Sequence, residues 1–175
     1  MHRHVFLLLL PLLVVLLPVP AAAEVLATFW SHDRDQNYEH AFIVLRGTVE
    51  ATGERIDTNI GFTARRVTPM VLLGSVEGQM ETVSAGYIAR AASRPHFRLT
   101  LDDAGYARLM AFVGRWRSTA QPSYNLNRRN CVHFVIEAAA ALGLSVNRQT
   151  RHTRQPRQAI EEIMRLNPGL ERATR

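Results

Sequence analysis

The chain contains no lysine; its 21 basic residues are all arginine. A GC-rich coding bias is the first explanation of that exclusive use, although arginine is also the better fork for carboxylate and phosphate. There is a single cysteine, so no disulfide can close within the chain and the fold rests on packing. No Cys or His pair has the spacing of a known zinc motif, and no internal repeat indicates a solenoid. Aromatic and basic residues do not alternate, which argues against a nucleic-acid partner. Beyond residue 23 no apolar run approaches the ~20 residues of a spanning helix.

What is present begins with "MHRHVFLLLLPLLVVLLPVPAAAE". A basic start, an apolar run broken by Pro11 and Pro18, and then Ala21-Ala22-Ala23 have the layout of a secretory signal. Cleavage after Ala23 is expected, leaving an exported, soluble chain of roughly 150 residues, periplasmic or extracellular, enough for one domain. The net charge of +6 is weighted toward "NRQTRHTRQPRQ", which offers peripheral contact with an anionic envelope surface. Residues 24–146 are read as the domain, and 147–175 as a basic linker with a C-terminal amphipathic helix.

The hydrophobic pattern predicts an α+β fold. "VLATFW" (25–30) reads as a strand, and "HAFIVLRGTV" (40–49) as one buried on both faces. "RIDTNIGFTA" (55–64) returns as its hairpin partner across "EATGE". "TPMVLLGSV" suggests another short strand; 75–96, broken by glycines, is unassigned; "HFRLTL" (96–101) is a strand with His96 near its edge. Thr100 or Asp102 caps a helix whose Tyr106, Leu109, Met110, Val113 and Trp116 share a face to about Arg117. "CVHFVIEAAAALGL" is a buried helix ended by Gly143, and Pro156 opens a last helix packing through Ile160, Ile163 and Leu166.

The chemistry concentrates at "NLNRRNCVHFV" (125–135). Asn130 is a good N-cap, which puts Cys131 in the first turn, where free backbone N–H groups and the helix dipole favour a thiolate. Shared spacing with Phe134, Val135 and Ala138 equally suits a packed core thiol. A nucleophilic thiol wants an imidazole. His2 and His4 leave with the leader, His152 falls in the linker, and His133 sits about 200° round the helix from Cys131. His40 differs in heading the most apolar strand, where a ring is costly unless bonded, although on its own it reads best as a half-solvated histidine at a strand end. "SHDRDQNYEH" gathers His32, Asp33, Asp35, Glu39 and His40, but is read as a solvated loop rather than a metal site. No metal or cofactor is implied.

"EHAFIVL" around His40, followed much later by "YNLNRRNCVHFV" around Cys131, resembles the circularly permuted papain-like superfamily over residues 38–142. That group includes the lecithin retinol acyltransferase-like proteins and permuted relatives of NlpC-type cell-wall peptidases. The resemblance implies a small antiparallel sheet packed on the cysteine-bearing helix, Cys131 as nucleophile and His40 as general base. It implies a polar orienting residue on the returning strand: Asn59 first, then Thr58 or Asp57. Period-2 alternation puts Thr58 with Ile56, Ile60 and Phe62, and Asn59 on the opposite face, so the register decides between them. The backbone N–H of Cys131, with Tyr124, Asn125 or Asn130 nearby, is the candidate oxyanion or substrate contact. The expected activity is a thiol-dependent hydrolase or acyltransferase acting on an amide or ester, such as an envelope peptide or acyl group. The alternatives are a non-catalytic envelope protein with a packed cysteine, and a dimer cross-linked through Cys131.

Overall fold

The computed structural model describes residues 24–33, 39–82 and 92–174; residues 1–23, where a leader is expected, and Asp35 lie outside them. The element order is β1 (Val25–His32), β2 (His40–Thr48), β3 (Arg55–Ala64), α1 (Met70–Leu73) and β4 (Gly78–Glu81). It continues with β5 (Ser93–Leu101), α2 (Asp103–Arg117), α3 (Cys131–Ala141), α4 (Pro156–Leu166) and β6 (Glu171–Arg172). The fold is α+β, with one six-stranded antiparallel sheet ordered β4-β3-β2-β1-β5-β6.

The strongest strand signals form the sheet's centre. Val25, Ala27 and Phe29 of β1 join Ala41, Ile43 and Leu45 of β2 in the main core, with the buried faces of α2, α3 and α4. Trp30, Phe42 and Val44, the alternate residues, form a separate buried cluster, so β2 is covered on both sides as its continuous apolar run predicts. Gly47 permits a close crossing: a Cβ there would lie 1.9 Å from the Glu24 carbonyl oxygen.

Four local expectations are corrected. Residues 70–73 form a helical turn instead of a strand, because Pro69 has helical dihedrals and lacks a ladder donor. His96 is buried, not at an edge: it is the extra residue of a bulge opposite Phe29 and Trp30, and its ring bonds Ser31 Oγ at 2.8 Å. Leu166 is 45% exposed; Ala159, Ile160 and Ile163 make the contact of α4 with the core. The basic stretch 147–155 belongs to the domain, since Thr150 is buried and the Thr153 carbonyl receives a bond from Asn130.

Asp102 caps α2 by accepting from the Gly105 N–H at 2.7 Å. At α3 the expected cap is a wider junction. The Asn130 side-chain oxygen accepts from the N–H groups of Val132 and His133 at 2.9 and 3.2 Å. Its amide nitrogen donates to the Leu126 and Thr153 carbonyls, each at 2.7 Å. One side chain therefore joins the helix start, the preceding loop and the segment before α4.

Replacing Asn130 by Ala removes the cap and strands two carbonyls, an expected loss of roughly 2–3 kcal/mol. Asp keeps the acceptor without the donors and falls between. Urea unfolding checks both, with the midpoint moving at constant slope.

Candidate active site

The site lies where β2 begins and β3 ends. His40 is the first residue of β2 and is 2% exposed. Its Nε2 is 2.8 Å from Oε2 of Glu81, the last residue of β4. The same ring makes a side-chain hydrogen bond with Cys131, the first residue of α3. Burial is the largest influence on the ring and favours the neutral form. The bond to Cys131, then that to Glu81, together with their charges, outweighs it and raises the His40 pKa to about 10. The imidazole is thus held as a cation between the Cys131 sulfur and the Glu81 carboxylate.

Three features place these groups. Glu81 stands opposite Gly61 on β3. A Cβ at Gly61 would lie 3.0 Å from His40 Nε2 and 3.3 Å from Phe42 Cβ, so the bare backbone leaves the ring its room. The start of β4 is clamped by Gln121, whose amide accepts from the Gly78 N–H and donates to its carbonyl, both at 2.9 Å. Beside Cys131, the Arg129 guanidinium stacks over Trp116, 3.9 Å from the ring centroid, and over Phe62 at 5.0 Å. It donates to the Trp116 carbonyl at 3.1 Å.

Of the three orienting candidates, none serves His40. Asn59 stands opposite Val44, fully buried, with neither amide atom hydrogen-bonded. Thr58 is opposite Leu45, and the exposed Asp57 pairs with Arg46 at 3.2 Å. The carboxylate comes from β4, one strand further, in the stretch that periodicity left unassigned. Its sequence signal is faint: the strand is four residues long.

Asn130 spends both donors and its acceptor on the backbone, so it shapes the site and does not face a substrate. His133 completes the capping box toward the Asn130 N–H at 3.3 Å, a structural role as its helical angle implied. Tyr124 lines the site, with its backbone paired to Val76 at 2.9 and 3.0 Å. The Asn125 side chain instead organises its own turn through the N–H groups of Asn127 and Arg128. His32 is bonded to Ser93 at 2.9 Å and Asp33 to Arg94 at 2.8 Å. Among the described residues no His, Cys, Asp or Glu group is arranged to hold a metal.

Cys131 is 7% exposed and opens into a groove of about 670 Å³. The walls are largely apolar: Ala64, Val67, Val71 and Leu72 on one side, Leu126 and Pro156 on the other. No family model, no curated protein and no solved structure matches this chain. The functional reading therefore stands on the groove, which Cys131 lines, and on the His40 ring and Glu81 carboxylate grouped with that cysteine.

Two outcomes follow from this geometry. With its folded pKa raised above the ~6.5 of an unfolded histidine, His40 contributes stability fully below pH 6.5. That contribution declines between 6.5 and about 10 and is gone above it. Imidazole NMR should show His40 still charged at pH 8, while Cys131→Ser and Glu81→Gln each lower its titration midpoint. Gly61→Ala should keep the fold by circular dichroism yet slow Cys131 alkylation about tenfold, since small displacements at reacting groups carry penalties of that order.

Proposed function

We propose that this protein is a thiol-dependent acyl hydrolase or acyltransferase of permuted papain-like fold. The observation that carries the reading is the buried His40 imidazole bonded to Cys131 on one side and paired with Glu81 on the other. The order along the chain, His40 first and Cys131 last, with the cysteine opening a helix packed on an antiparallel sheet, supports the permuted arrangement. The orienting carboxylate on β4, instead of an amide on the returning strand, departs from the expected pattern.

In this reading the thiol proton rests on His40, and Cys131 Sγ attacks the carbonyl carbon of an ester or amide. An S–C bond forms and the carbonyl π electrons move to oxygen, toward the backbone N–H of Cys131 at the helix start. The intermediate collapses with loss of the alcohol or amine, which takes the proton from His40. Water then attacks the thioester in hydrolysis, or a second alcohol or amine in transfer, giving up its proton to His40; collapse breaks the S–C bond, releasing the acyl product and restoring the Cys131 thiolate beside the protonated ring. Glu81 holds the ring's orientation and stabilises its charge whenever it carries the proton. The apolar groove favours an acyl chain over a polar peptide strand as the group bound beside Cys131. The amino-terminal leader supports an envelope ester or amide as the source.

The test is acylation by p-nitrophenyl esters of increasing chain length, with intact-mass detection of the thioester. The expected adduct sits on Cys131, grows faster with longer chains, and vanishes in Cys131→Ser. His40→Ala lowers kcat/KM by 10²-fold or more, within the range of general acid–base catalysis. Glu81→Gln produces a smaller loss, and Asn59→Val none. Slow Cys131 modification indifferent to His40 would leave the thiol as a packing residue and end the catalytic reading.

A further inference from the structure

The groove has a lip that the reaction does not explain. Val67, Met70, Leu72 and Leu73 are 57%, 58%, 73% and 78% exposed, and among the described residues the other large exposed hydrophobic is Leu166. Four of five therefore fall within seven residues, on α1 and the connection before it. Val67 and Leu72 also line the groove that ends at Cys131, so the lip and the binding wall are one apolar surface. Arg65 and Arg66, both exposed, immediately precede it; Arg65 also pairs loosely with exposed Glu77 at 3.5 Å.

We propose that residues 65–73 dock the protein on an anionic lipid surface, from which an acyl chain passes along the groove to Cys131; the second half of this rests on the thiol reading above. A protein partner fits the segment less well. Leu72 and Leu73 point about 100° apart, and although Met70 and Leu73 are three apart, a four-residue turn is too short to present the i, i+3, i+4, i+7 row of a helix docked in a protein groove. Four side chains also fall short of the roughly 800 Å² per partner that a stable protein interface buries. A fluid acyl boundary accepts splayed leucines, and arginines at its edge meet the headgroups. The C-terminal helix is no rival for this role, because its apolar face is spent on the core.

The experiment uses the full chain with Cys131→Ser, so that an environment-sensitive fluorophore attaches only to Leu73→Cys. The probe reads insertion at this position whatever the leader does, and it needs no turnover. Phosphatidylcholine vesicles containing phosphatidylglycerol should shift the emission to the blue, and brominated acyl chains should quench it. The same label at Ala111→Cys, on exposed α2, should stay unchanged. Arg65→Gln with Arg66→Gln should weaken partition about thirtyfold, from roughly 1 kcal/mol per basic residue at an anionic surface. A probe at 73 that remains in water would overturn the proposal, as would a shift without lipid that rises with protein concentration, which assigns the lip to a second copy. Loss of binding only on removing Arg148, Arg151 and Arg154 would move the contact to the tail and equally overturn it. Insertion without thiol chemistry would sink the catalytic reading and leave docking standing.

Discussion

A buried imidazolium is the constraint around which this domain is arranged. A charge held at 2% exposure is costly in isolation, because desolvation opposes the ionised form. His40 carries it because a thiol and a carboxylate reach the ring from elements distant in sequence. Each reach has its own support. The Asn130 junction fixes the start of α3 and therefore Cys131, while the Gln121 clamp and the β3 pairing fix β4 and therefore Glu81. Gly61 leaves the space in which the ring lies.

The same arrangement separates chemistry from recognition. The thiol, ring and carboxylate sit on regular elements held by sheet and helix hydrogen bonds, which keeps their mutual geometry narrow. One wall of the groove is supplied by the connection from β3 to β4, whose large side chains are mostly exposed. Changes in that connection would alter what binds while leaving the thiol, ring and carboxylate in place.

Legibility in the sequence followed from how local each signal was. β3 spans 55–64 as its composition and turn predict, and β2 and α2 follow their periodicity to within a residue or two. Cys131 and His40 could be singled out because one is unique and the other is a polar residue at the head of an apolar run. Glu81 could not: its proximity to His40 needs two strand pairings in a particular register, from β2 to β3 and from β3 to β4. Asn59 looked better placed because it lay on the adjacent strand, yet the register set it opposite Val44, two residues short of Gly61. The turn at 70–73 was misread because a short apolar run has no period of its own, and Pro69 decided its conformation.

The sequence by itself determined the α+β class, the core strands, the capped helix starting at Cys131 and the presence of a polar ring at the head of an apolar strand. Those are short-range properties, set by side-chain period, capping chemistry and the cost of burying a polar group. Only the tertiary structure decided which carboxylate completes the site, that Asn130 is a structural junction, and that an apolar groove opens over the sulfur. Those depend on strand register and on how three helices lie across one sheet, and no local preference encodes either.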